Sequence, residues 1–337
     1  MFAEPTNLDH NRNIFEKSLL LHSEKRSSNL EQYHRCGRII GVYYWSHAVI
    51  ARDWFRYAEH VKQQKQVAQT FLIYNRAWSN TREYRLRFAE LLIDLNLQKH
   101  CKTSVNPVEP ELGIHYDSHQ FKNPMWRPET VLENYFPTSD AHSHYSADFD
   151  IEDYEATDIE VVLETLFDDS RLHLTEKSLR PIACGQPFIL ASTVGSLEYL
   201  RSYGFKTFES VWDEYYDLIE HPRERLVYIA STMRHIANWT PEERADKMAK
   251  AQAIADYNRQ YFFSQEFFNL VVTELKTNLT TVFAILNSLP VNNQWIRIAK
   301  VILNSTELKN LLNAMENPNG FTISNIEKVL GSISTLK

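Results

Sequence analysis

Thr175, Glu176 and Lys177 stand side by side in LHLTEKSLRPIACGQPFIL (172–190), between an apolar run and a helix-like segment that leads into an apolar strand at Phe188–Leu190. At a helix start the three side chains read unequally. A threonine there caps free backbone N–H groups, and a glutamate suits the positive end of the helix dipole. A lysine in the first turn is disfavoured by the same dipole, unless an anion sits at the helix N-terminus. A diphosphate would satisfy both the ammonium and the free N–H groups. The neighbouring carboxylate can accept two hydrogen bonds from the vicinal hydroxyls of a ribose. The trio therefore reads either as a corner that binds a sugar nucleotide or, more plainly, as a capped helix start.

Other polar groups fall at the ends of apolar runs. Asn75 and Arg76 end TFLIYN (70–75), and Glu164 and Thr165 fall late in DIEVVLETLF (158–167). Arg76 at a strand end is placed to contact a phosphate. On the helix pattern TREYRLRFAELLIDL (81–95), Arg82 and Arg85 share a face, while Arg87 lies elsewhere and reads as a solvated side chain. His115, Asp117 and His119, and again Asp140, His142 and His144, repeat an i, i+2, i+4 spacing that shares one side of an extended chain. Such spacing suits metal ligands, but a polar loop is the more ordinary reading, and the expectation is that the protein holds no metal.

The elements that would position these groups alternate. SLLLHSE (18–24), RIIGVYYWSH (38–47) and TFLIYN read as strands, and Ser46 caps a helix opening HAVIARDWFRYAEHVKQQ. QKHCKTSV (98–105) reads as a weak strand, and residues 105–157, rich in proline and histidine, as a loop-rich insertion. DIEVVLETLF reads as a strand buried on both faces, GSLEYLRSYG (195–204) as a helix closed by Gly204, and FKTF (205–208) as a short strand. From Pro222 onward the chain reads as almost entirely helical. Strand–helix–strand alternation from 70 to 208 predicts a parallel, doubly wound sheet, whose ligands bind at the carboxyl ends of the strands. On that expectation Asn75, Arg76, Glu164, Thr175, Glu176 and Lys177 converge on one crevice.

Composition narrows the chemistry. The chain has 337 residues, 43% of them hydrophobic, which suits a folded protein of one or two domains. Its eight glycines form neither a G-x-G-x-x-G nor a Walker loop. Phosphate binding would therefore use helix N-termini and cationic side chains, and a kinase or hydrolase built on a phosphate loop is disfavoured. Three scattered cysteines without zinc-site spacing, a polar N-terminus and the lack of a long apolar run lead us to expect reduced thiols, no membrane span and a cytoplasmic protein. The net charge of −7 is uneven: residues 1–104 carry 16 Lys/Arg against 10 Asp/Glu, a net of +6. The segment 140–176 has twelve carboxylates against one arginine. The basic third could attract a polyanion, and the acidic run reads as a solvated face.

The order ETLFDDSRLHLTEKSLRPIACGQPFILASTVGSLEYL resembles the donor-binding half of fucosyltransferase-type enzymes of the GT-B class. In that class a strand end is followed by Thr-Glu-Lys, a helix, a proline, an apolar strand and a small-residue turn. Upstream, IYNRAWSNTREYRLRFAELL resembles the turn in which an arginine is followed by an aromatic three residues on and a leucine seven on, matched here by Arg85, Phe88 and Leu92. The likeness covers about 70–210. Thr165 departs from it, where asparagine is usual, and so does Tyr74, where serine is usual. The whole chain is also similar to phage-encoded glycosyltransferase-like proteins that share the YNRAW…REYR and TEK…P segments.

The resemblance implies an α/β, GT-B-like fold of two Rossmann-like halves, the N-terminal one reduced, with a helical C-terminal tail. The expected divisions are an acceptor-side unit at 1–66, a donor-binding domain at 67–220 with the insertion 105–157, and a helical region at 221–337. It implies that Glu176 holds the donor ribose and that Lys177 and Arg85 hold the diphosphate, with the nucleotide sugar as substrate and no other cofactor. Transfer to a hydroxyl needs a base, for which Glu24, His47 and Asp53, polar groups near strand ends in the first unit, are the candidates. Each also reads as a cap or surface residue. The phage likeness implies a hydroxymethylated pyrimidine in DNA as acceptor, in the host cytoplasm; a glycan or a small molecule is the alternative, and a non-catalytic nucleotide- or sugar-binding module is a further one.

Overall fold

The computed structural model describes residues 19–27, 40–60, 64–136 and 148–288. Asp140, His142 and His144, and residues 289–337 of the expected helical region, lie outside them. The chain separates into two compact units, one formed by residues up to Asp53 together with those from Ser264 onward, the other by Trp54–Phe263. The sequence suggested breaks near 66 and 220 instead. The helices between Pro222 and Phe263 pack against the sheet and its flanking helices and belong with them, which moves the division to Ser264.

In the larger unit four strands form one parallel sheet: β3 (Gln69–Asn75), β4 (Cys101–Val105), β5 (Thr157–Leu163) and β6 (Phe188–Ala191), in the order β4-β3-β5-β6. Phe71, Leu72 and Ile73 of β3, Ile159, Val161 and Val162 of β5 and all four residues of β6 are buried. Sheets covered on both faces carry such continuous apolar runs, since neither face meets water. Helix α2 (Tyr84–Asp94) links β3 to β4, and α4 (Glu176–Cys184) links β5 to β6. After β6 come α5 (Ser196–Ser202), α6 (Pro222–Ala237) and α7 (Pro241–Phe263); α6 packs on α2 and β6, and α7 on α4. Gly204, at φ +89°, ends the α5 segment so close to α7 that a Cβ there would stand 2.6 Å from the Tyr261 hydroxyl.

Two expected elements changed. FKTF is no strand: the Lys206 N–H and C=O are both taken by the buried Asn258 carboxamide at 2.8 Å, and the Phe208 N–H by Glu214 at 2.8 Å, so these groups do not enter a ladder. The apolar run of β5 leaves the sheet at Leu163, and Phe167 stacks instead on Tyr84 at 4.3 Å between centroids.

The segment 106–136 has little regular structure beyond three short 3₁₀ turns, yet it is held firmly. Buried carboxylates accept its backbone amides. Glu83 takes those of Lys122 and Asn123, and Glu90 those of Glu129 and Thr130. Glu109, from the segment itself, takes the amides of Trp78 and Ser79. Each is a charge-assisted bond in a water-poor setting, and so stronger than a neutral one. A short helix, α3 (Ile151–Glu155), precedes β5.

The smaller unit contains a parallel pair, β1 (Leu19–His22) and β2 (Ile40–Tyr43), and helices α1 (Ser46–Trp54) and α8 (Gln265–Ser288). Helix α1 stops at Trp54, well short of its expected reach, and the next residue, Phe55, is buried against Phe149. Asn278 donates to the Tyr43 carbonyl at 2.7 Å, and Trp45 meets Phe267 edge to face, so α8 closes over β2. Among the described residues no helix is long and apolar enough to cross a membrane.

Candidate functional site

The chain runs from β3 outward to β4 and returns on the other side as β5, so β3 and β5 form the point where the strand order reverses. In open parallel sheets such a point leaves a crevice at the carboxyl ends, because the two following loops part in opposite directions. Here the ladders show the opening directly. The β3–β4 pairing runs to Asn75↔Val105 and the β5–β6 pairing to Leu163↔Ala191, but the β3–β5 pairing ends at Leu72↔Glu160.

Arg85 holds the open ends. From the first turn of α2, its guanidinium donates to the carbonyl of Ala77 after β3 at 2.6 Å, and to those of Leu163 and Glu164 at the end of β5. The Asn75 amide donates to the Arg85 carbonyl at 3.1 Å, fixing the helix start on the strand end. Both residues are nearly fully buried.

Above this pin lies a cavity of about 170 Å³ into which five cationic side chains face: Arg76, Arg82, Arg85, Lys177 and Arg180. The Tyr74 ring and the Ala77 and Leu163 ends complete the wall, and Glu111 supplies its carboxylate. Arg76 and Arg82 approach Glu111 loosely, at 3.9 and 3.6 Å. Arg180 is anchored by Glu160 of β5 at 2.6 Å and lies 4.4 Å over the Tyr74 ring, whose hydroxyl donates to the buried Asp153. Burial opposes the charge of Arg180, and the Glu160 carboxylate more than restores it, holding the guanidinium above its ordinary pKa.

The helix start that opens the sequence argument forms one wall. Thr175 is the N-cap of α4 and accepts the Lys177 N–H at 3.3 Å. Glu164 caps the same helix from across the loop. Its carboxylate accepts the Thr175 N–H at 2.9 Å, the Thr175 hydroxyl at 2.8 Å and the Ser178 hydroxyl at 2.6 Å. Burial raises the pKa of Glu164, but the Lys177 charge and these hydrogen bonds outweigh it, and the net shift is downward. The Lys177 ammonium donates to Glu176 at 3.0 Å, Thr165 at 3.2 Å and Thr175 at 3.3 Å.

Of the residues the sequence singled out, Lys177, Arg85 and Arg76 line the cavity. Asn75, Glu164, Thr175 and Glu176 are buried and are not among its lining residues; the first three secure the α2 and α4 starts. Arg85 differs from its expected role: its terminal nitrogens are committed to backbone carbonyls, so it supplies charge to the crevice more than free donors. Arg87 is not solvated; it pairs with Glu90 one turn on. Arg180, Arg82, Tyr74 and Glu111 were not assigned to the site. Arg180 lies three residues after Lys177, hence on the same helix face, and that spacing was the available signal. Glu111 had none, because its position follows from the distant anchoring of its loop.

The histidines do not converge. His115 bonds Glu133 at 2.5 Å and His119 bonds Glu83 at 3.0 Å, each holding its own part of the 106–136 segment. Among the described residues no group of three His, Cys, Asp or Glu could hold a metal ion. The candidate bases belong to the smaller unit. Glu24 is buried just beyond β1, with its carbonyl 3.1 Å from the His22 ring nitrogen. His47 and Asp53 lie at opposite ends of α1. Six residues of helix separate them by about 9 Å of rise and roughly 120° of rotation, so they do not act as one group.

Comparison with protein-family models, with curated proteins and with solved structures found nothing that matches the chain.

Proposed function

We propose that the protein is a nucleotide-sugar-dependent glycosyltransferase that holds the donor diphosphate in the crevice between β3 and β5. The supporting observation is the lining: five cationic side chains face a small cavity at the strand-order reversal, with Glu111 as its only carboxylate among the described residues. The volume suits an anionic group better than a whole drug-sized ligand, for which pockets of roughly 300–1,000 Å³ are usual. The base and sugar of the donor would extend beyond it.

The chemistry follows from the charges. An acceptor hydroxyl attacks the anomeric carbon, the bond from that carbon to the phosphate oxygen breaks, and the diphosphate leaves with the bonding pair. Arg76, Arg82 and Lys177 stabilise the charge that grows on the leaving oxygens, while buried Arg85 and Arg180 keep the field positive without having to reorganise. Glu176, beside Lys177, is assigned to the ribose hydroxyls. The acceptor proton passes to a base, for which Glu24, His47 and Asp53 remain the candidates. In this reading the two units are the two halves of a GT-B enzyme, and the C-terminal helix α8 belongs to the acceptor half. The net charge of +6 over 1–104 favours DNA as acceptor, with a glycan or small molecule as the alternative.

The test is direct. Incubating the protein with UDP-, GDP- and ADP-glucose, with and without DNA bearing hydroxymethylated pyrimidines, should release a nucleoside diphosphate from one donor. If none of the donors is turned over or bound, the proposal fails.

A further inference from the structure

The cations of the crevice are not equally compensated. Arg180 is matched by Glu160 at 2.6 Å, and Lys177 by Glu176 at 3.0 Å with the Glu164 carboxylate behind it. Arg76, Arg82 and Arg85 stand apart. Arg85 donates to the carbonyls of Ala77, Leu163 and Glu164, and Arg76 and Arg82 share Glu111 at 3.9 and 3.6 Å. Those distances exceed the roughly 2.7–2.9 Å of a charge-assisted hydrogen bond. Three guanidiniums thus face one loosely held carboxylate, with the buried Glu164 carboxylate acting on Arg85 as well, so the crevice keeps a net positive charge for a ligand.

Glu111 is held at this edge by its backbone rather than by its partners. Its turn is closed by a bridge between Val108 and His115 and by the Gly113 N–H donating to the Glu109 carbonyl at 2.8 Å, with Gly113 at φ +66°. The Glu109 side chain ties the base of the turn to Trp78 and Ser79, two and three residues from Arg76, by amide bonds of 2.7 and 2.8 Å. The Glu111 side chain itself is 53% exposed. A fixed negative charge beside an anion site weakens every anion in proportion to the charge that anion brings.

Donor and product differ in that respect. The diphosphate of a nucleotide sugar is esterified at both ends and carries two charges. The released nucleoside diphosphate gains a terminal phosphate oxygen that ionises with a pKa near 6, giving about three charges at neutral pH. Resting on the donor reading above, we infer that Glu111 is a charge-selecting residue that disfavours the nucleoside diphosphate product relative to the nucleotide-sugar donor and so promotes product release.

The experiment is isothermal titration of wild type and Glu111→Gln with UDP and UDP-glucose, and with GDP and GDP-glucose, at low salt and pH 8. Glu111→Gln should tighten both members of the bound pair, and the diphosphate more than the sugar nucleotide. One added ligand charge at a partly solvated site is worth on the order of three- to thirtyfold in affinity, so the donor-to-product ratio should move by about that factor. The half-exposed side chain should leave the melting temperature unchanged. Equal tightening of both ligands, no change, or weaker binding overturns the role of Glu111 alone. If wild type binds none of the four, the donor reading falls and this inference falls with it.

Discussion

Glu214 shows how far burial, with a neighbouring carboxylate at Asp217, can shift a single side chain in this protein. It is 9% exposed, accepts the Phe208 N–H at 2.8 Å and meets Arg201 only at 3.7 Å. Burial pushes its pKa up to about 7, more than its hydrogen bonds and Arg201 pull it down. The folded state therefore binds the proton more tightly than the unfolded chain does. The resulting stability is fully present below the ordinary glutamate pKa and is lost as pH rises through about 7. Glu214→Gln keeps an acceptor for Phe208 and removes the titration. It should flatten the decline in melting temperature between pH 5 and 8, and stabilise the protein at pH 8 by about 1–3 kcal/mol. Parallel pH profiles that never diverge would contradict this. Asp217, raised to about 6 mainly by burial, acts in the same direction and stays in the variant. Residues of the crevice were legible where their chemistry is local. Thr175, Glu176 and Lys177 declare a helix start by type and order. Glu111 and Glu214 do not, because what surrounds them arrives from elsewhere in the chain.

At the level of elements, the Glu160–Arg180 pair joins β5 to α4 beneath the crevice. Glu160 is fully buried, and its carboxylate also accepts the Tyr154 hydroxyl. Removing one member of such a pair leaves the other charged in a dry setting, which typically costs about 3–5 kcal/mol. Glu160→Ala should therefore lower the urea midpoint by that equivalent, far more than the loss of a surface ion pair such as Lys250–Asp246. A loss below about 1 kcal/mol would show that Arg180 does not depend on Glu160 for its place. The strands β3, β5 and β6 were legible because buried parallel strands are continuous apolar runs. FKTF has the same local pattern and fails, since its backbone is claimed by Asn258 and Glu214. The 106–136 segment was legible as an interruption, but its order comes from Glu83, Glu90 and Glu109, three carboxylates that look like surface residues in the sequence.

Across the whole molecule, the parallel sheet follows from the alternation of strand and helix, whereas the division into units does not. Helix α8 joins the N-terminal strands through contacts such as Asn278 to Tyr43, 235 positions apart, and no local pattern announces that pairing. In the larger unit the open sheet end gathers cations, which on the donor reading form an anion site. Arg82 and Lys177 are its clearest probes, because both are part-exposed cationic side chains that line the cavity. Isothermal titration of wild type, Arg82→Ala and Lys177→Ala with the nucleoside diphosphate that wild type binds, alongside their melting curves, tests it most directly. A charged hydrogen bond is worth roughly 1.5–3 kcal/mol, so each variant should lose about ten- to a hundredfold in affinity. Arg82→Ala should leave the melting temperature little changed, whereas Lys177→Ala also uncovers the buried Glu164 and Glu176 carboxylates and should lower it. Wild-type affinity in both variants would contradict the account and leave Thr175, Glu176 and Lys177 as a capped helix start and nothing more.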